Sequence, residues 1–110
     1  MARKFRRVLL VLAFDEVDAG VGGSTGRAVG RLLRRLAQGR QVLVVTHLAQ
    51  VAAFADHHLR VDKVAEAGRT VTRVHALEGE ARVRELARML AGDDGPIARR
   101  HAEALLEASR

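Results

Sequence analysis

The chain has 110 residues, 48% of them hydrophobic but only three aromatic, and its 19 Lys and Arg against 13 Asp and Glu leave a formal charge of +6. That length allows one small domain with a thin core, and the apolar fraction excludes a disordered basic tail. Without cysteine there is no disulfide framework and no thiolate metal site such as a zinc finger, which fits a reducing compartment.

The longest apolar run, Val8 to Phe14, is seven residues, far short of the ~20 that cross a bilayer as a helix. Met1 to Arg7 followed by that run has the outline of a secretory signal. Asp15, Glu16 and Asp18 come next, however, where small neutral residues would mark cleavage. The run instead predicts a strand buried on both faces, as in a parallel sheet. The segment from Asp18 to Gly26 holds Gly20, Gly22, Gly23 and Gly26 and predicts a loop. A helix follows, with Val29, Leu32, Leu33 and Leu36 as its apolar face, Arg27, Arg31, Arg34 and Arg35 largely opposite, and Gly39 at its end.

Gln41 to Thr46 predicts a second strand, which completes a βαβ unit with two parallel strands. Their carboxyl ends carry Asp15-Glu16 and Thr46-His47, and ligands of open α/β sheets gather at that edge. A short helix from about Leu48 to Ala55 comes next. Leu59 to Val64 and Thr70 to Leu77 alternate in polarity around Glu66-Ala67-Gly68 and predict a hairpin. Glu80 to Leu90 predicts a helix with Val83, Leu86, Ala87 and Leu90 as its apolar stripe. Asp93-Asp94-Gly95-Pro96 breaks the chain before a last helix, Ile97 to Ala108. The fold class is therefore α/β, a short parallel βαβ core followed by a β-hairpin and two carboxy-terminal helices.

The net charge is all amino-terminal: residues 1–40 hold nine basic and three acidic side chains, and residues 41–110 hold ten of each. A basic patch without interleaved aromatics reads first as a solvated face. The five histidines show no pair at the i, i+4 spacing of a helical metal site, and surface positions are expected for His57, His58, His75 and His101.

The chemistry-bearing feature is an apolar strand that delivers Asp15 and Glu16 into a glycine-rich loop. Either the pair is an acidic strand end that only caps the sheet, or one carboxylate holds Mg²⁺ while its neighbour reaches a water as general base. His47 arrives at the same edge, where an imidazole can hydrogen-bond a phosphate oxygen or the attacking water.

These segments resemble the ATP-binding-cassette ATPases, within them the SMC-like DNA repair and chromosome proteins. Val11-Leu-Ala-Phe-Asp-Glu16 looks like a Walker B strand, Asp18 to Gly23 sits where the D-loop lies, and Val44-Val-Thr-His47 looks like the switch-histidine segment. The wording of Phe14 to Gly23, Val44 to Asp56 and Arg84 to Gly92 is similar to the carboxy-terminal part of the RecN family of bacterial DNA repair proteins. The resemblance implies the second half of a P-loop ATPase head, with ATP and Mg²⁺ as ligands. Asp15 would position the metal, Glu16 polarise water, His47 contact the γ-phosphate, and Asp18, Gly20, Gly22 and Gly23 face a partner subunit.

It also implies a cytoplasmic, nucleoid-associated protein without membrane contact, whose partners are the amino-terminal ATPase half or a second head, and DNA indirectly. The 110 residues contain no Gly-x-x-x-x-Gly-Lys phosphate loop and no Leu-Ser-Gly-Gly signature; the only lysines, Lys4 and Lys63, follow Arg3 and Asp62. The expectation is a carboxy-terminal piece of a longer ATPase, from a truncated product or a misread start, inactive alone. Two other readings remain: a free-standing Mg²⁺-dependent phosphoryl-transfer enzyme using Asp15, Glu16 and Asp18, and a non-catalytic remnant whose basic helix, Arg27 to Arg35, meets DNA or another head.

Overall fold

The computed structural model describes residues 8–12 and 23–110, with side chains from Ser24 onward. In chain order the elements are β1 (Val8–Leu12), α1 (Gly23–Leu36), β2 (Val42–Val45), α2 (Ala49–Ala52), β3 (His57–Glu66), β4 (Arg69–Leu77), α3 (Gly79–Ala91) and α4 (Pro96–Ala108). The strands form one sheet in the order β2-β1-β3-β4. β1 pairs in parallel with β2, Val8 opposite Val42 and Val11 opposite Val45, as a βαβ unit requires. On its other side β1 pairs in parallel with β3, and β3 runs antiparallel to β4.

The predicted hairpin is present and longer than its alternating pattern, because pairing runs from His58–Leu77 out to Glu66–Arg69. Ala67 (φ 50°) and Gly68 (φ 78°) both take left-handed backbone, the geometry of a two-residue turn matched to strand twist. α3 stops at Gly92, whose N–H returns to the Arg88 carbonyl at 2.8 Å, and Pro96 opens α4.

The core is alanine-rich. Ala37, Ala49, Ala52, Ala55, Ala87 and Ala102 pack with Leu86 and Leu105, and Val42, Val44 and Val83 lean on them. Small side chains let α2, α3 and α4 approach closely, and the predicted stripe of α3 is the face that does so.

Two expectations about α1 are corrected. Gly23 to Gly26 are helical rather than part of a loop. The buried residues of α1 are Gly26 and Gly30, with Ala37 just past its end and the predicted Leu33 half-buried on the same side, whereas Val29, Leu32 and Leu36 are 41, 51 and 43% exposed. The cause is Phe54: a Cβ on Gly30 would lie 2.2 Å from its Cδ2, so the ring occupies the place a side chain would take. A third correction concerns His58. It is buried rather than on the surface, because strand alternation turns it inward in the row Leu10–His58–Leu77. His57, His75 and His101 are exposed as expected.

Candidate functional site

The parallel register of β1 and β2 puts their carboxyl ends side by side. Beyond β2 the chain turns sharply, and the half-buried Thr46 accepts the Leu48 N–H on its Oγ1 at 3.0 Å. This small Thr-centred turn leaves His47 exposed at the sheet edge. Asp15, Glu16, Asp18, Gly20 and Gly22 lie outside the described residues, and Gly23 is the first residue of α1. The first turns of α1 lie against the start of α2, where a Cβ on Gly26 would come 3.0 Å from Gln50 Cβ. The segments bearing Gly23 and His47 are thus held as neighbours.

Arg82 of α3 holds α2 from the other end, a role its position in the sequence does not signal. Its Nη2 donates to the carbonyls of Ala55 at 2.8 Å and Ala52 at 3.2 Å, with Ala53 at 3.5 Å. Helix carboxyl ends leave such carbonyls without partners, and one guanidinium takes up those of α2 and the turn after it. Burial lowers the pKa of Arg82; Asp56 opposes that shift and Arg34 adds to it. Beside it both ring nitrogens of His58, and Nε of Arg82 itself, are buried without hydrogen-bond partners among the described residues. Burial first, and the Arg82 charge second, push His58 down from 6.5 to about 4, so the imidazole is neutral at pH 7.

A cleft of about 540 Å³ opens next to this clamp, lined by Arg34, Asp56, Arg82, Glu103, Glu107 and Arg110 among others. Arg34 crosses it, donating from Nη1 to the Ser109 carbonyl at 2.6 Å, pairing with Asp56 at 3.7 Å and lying 5.7 Å from the centroid of the Phe54 ring. These contacts tie α1 to the end of α4, so the cleft is cross-braced by its own charges, and the two described site residues, Gly23 and His47, do not line it. Among the described residues, no group of three or more His, Asp or Glu is placed to hold a metal, and no helix is long and apolar enough to cross a membrane.

The parallel βαβ core, antiparallel hairpin and carboxy-terminal helices define an α/β domain whose polar segment after β2 sits at the carboxyl edge of the sheet. The chain matches the carboxy-terminal part of the DNA repair protein RecN. It is 60% identical to RecN of Streptomyces coelicolor over 98 residues, 88% of this chain, and 56% identical to RecN of Deinococcus radiodurans over 95 residues, 86% of it. RecN of Mycobacterium tuberculosis is 52% identical over 100 residues, 90% of the chain. The chain spans 17% of the length of each of these relatives. No protein-family model matches it.

Proposed function

We propose that this chain supplies the Walker B and switch-histidine half of an ATP-hydrolysis site in a RecN-like head, and through it acts in DNA double-strand break repair and recombination. The observation that carries the reading is the β1–β2 register. It makes the strand leading to Asp15 and Glu16 the immediate neighbour of the strand leading to His47, in a chain 56–60% identical to RecN relatives over 86–88% of its length.

In this reading Asp15 holds Mg²⁺, a hard cation suited to carboxylate oxygen. When bound with nucleotide, the metal neutralises charge on the transferred phosphate. Glu16 orients a water and accepts its proton, while His47, exposed and free of competing burial, donates a hydrogen bond to a γ-phosphate oxygen. Asp18, Gly20, Gly22 and Gly23 face a second head.

The phosphate-cradling loop must come from elsewhere, which makes the chain inactive alone. The sheet supports this division. β2 is an edge strand with unpaired backbone groups, and Leu43 and Val45 are 61 and 62% exposed. The strand therefore has room for a further strand beside it and a further layer above it.

The test mixes the purified chain with the amino-terminal remainder of Streptomyces coelicolor RecN, cut before the matching segment. ATP turnover is expected from the mixture and from neither part alone, and Glu16→Gln should lower it by roughly 100-fold or more. Turnover by the chain alone that Glu16→Gln abolishes would overturn the inactive-alone reading. A co-eluting mixture without turnover would overturn the site assignment.

A further inference from the structure

Between Gly23 and Ala55 the chain carries five arginines and neither Asp nor Glu. Three of them, Arg27, Arg31 and Arg35, recur every four residues along α1 and are all exposed. At a rise of about 1.5 Å per residue, the row is about 12 Å long. Seven other arginines, from Arg34 to Arg110, each meet a carboxylate or a carbonyl. The row on α1 meets none among the described residues; Arg40, Arg69, Arg84 and Arg100 share that, but they stand singly on separate parts of the chain, and only the α1 arginines form a row. Packing explains why: Gly26, Gly30 and Ala37 face α2 and its Phe54, Arg34 is drawn into the cleft, and the row stands about a quarter to half a turn away from that buried face at about 100° per residue.

We infer that this face of α1 is a docking surface for the phosphate backbone of a DNA duplex. Guanidinium forks match phosphate oxygens in bidentate geometry, and a duplex strand presents a phosphate about every 3.4 Å along its axis. The row therefore covers three to four phosphates. α1 carries no aromatic side chain, so it lacks the stacking platform by which proteins hold single-stranded bases. The contact is assigned to phosphates alone and so is independent of DNA sequence. An acidic lipid surface fits less well. The exposed apolar side chains of the same helix, Val29, Leu32 and Leu36, centre about a third of a turn away from the arginine row at about 100° per residue, so the row itself presents charge without apolar side chains to enter a bilayer. This surface stands whether or not the chain takes part in ATP hydrolysis.

The test is fluorescence anisotropy of a labelled 20-base-pair duplex titrated with the full chain across a salt series. The expected log–log salt slope is about −3, since three phosphates are neutralised. The triple variant Arg27→Gln, Arg31→Gln, Arg35→Gln should weaken binding by about tenfold or more and remove most of that slope. Each single substitution should reduce the slope by about one, which keeps the test intact if the triple variant folds poorly. The control triple Arg69→Gln, Arg84→Gln, Arg100→Gln removes the same charge from exposed positions elsewhere and should leave affinity within about twofold. An equal loss in both triples would overturn the proposal in favour of diffuse charge. Absence of salt-sensitive duplex binding, or tighter binding to phosphatidylserine vesicles than to duplex, would overturn it as well.

Discussion

His58 shows what a single inward-facing residue does to this fold. A neutral imidazole is tolerated at this buried position of β3, but a protonated one would be a buried charge beside Arg82. Its folded pKa, about 4, lies below the ordinary 6.5, so between those values the unfolded chain binds the extra proton. His58 therefore adds no pH-dependent cost above pH 6.5, and stability falls as pH drops from 6.5 towards 4, by roughly 3 kcal/mol in all. Urea unfolding at pH 7 and pH 5 checks this: His58→Leu should flatten the difference between the two pH values. An unchanged pH slope in that variant would place the acid sensitivity in other groups. The alternating pattern begins this strand at Leu59, with both His57 and His58 expected at the surface, whereas β3 starts at His57 and His58 is buried. Alternation settles which of the two faces inward only once the neighbouring strands and α3 are in place.

At the scale of elements, α1 and the hairpin make opposite cases. The hairpin was legible because Ala67-Gly68 sits between two alternating runs and both turn residues take left-handed backbone. The helix of α1 was legible too, but its packing face was not. Leucine spacing points to Val29, Leu32, Leu33 and Leu36, while the contact is made by glycines that hydrophobic patterning cannot register.

Gly30→Ala is therefore expected to destabilise the chain by roughly 1–3 kcal/mol through its clash with Phe54, even though Ala is the better helix former by about 1 kcal/mol. Thermal unfolding measures the net effect. The double variant Gly30→Ala with Phe54→Leu should recover part of the loss, since Leu lacks the ring carbons that crowd position 30. A more stable single variant would show that α1 moves off α2 without cost.

For the molecule as a whole, the sheet has two unequal sides. Val42, Val44 and His58 face the alanine-rich core. Leu43 and Val45 face away, and register places Leu59, Val61, Val74 and Ala76 on the same side. Val74 is 60% exposed, and a contiguous apolar side of this kind marks an interaction surface or an aggregation liability. Sedimentation velocity of the purified chain should show concentration-dependent association. Leu43→Thr with Val74→Thr should reduce it with little loss of folded stability, because both side chains already face solvent. Association unaffected by those changes would move the contact to another face.

The sequence by itself determined the element order, the parallel βαβ start, the hairpin turn and the apolar stripe of α3. Each of these is local, set by periodicity or by the backbone preferences of a few adjacent residues. The likeness to RecN was also legible there, since Phe14 to Gly23, Val44 to Asp56 and Arg84 to Gly92 are words of the linear chain. Only the tertiary structure decided that β3 lies beside β1, that Phe54 fills the space over Gly30, that Arg82 ties down α2, and that Arg34 is taken into a cleft while Arg27, Arg31 and Arg35 on α1 stay exposed. Those outcomes depend on which surfaces meet across long separations in sequence. Contact shape and burial are properties of pairs of elements, and no single stretch of residues carries them.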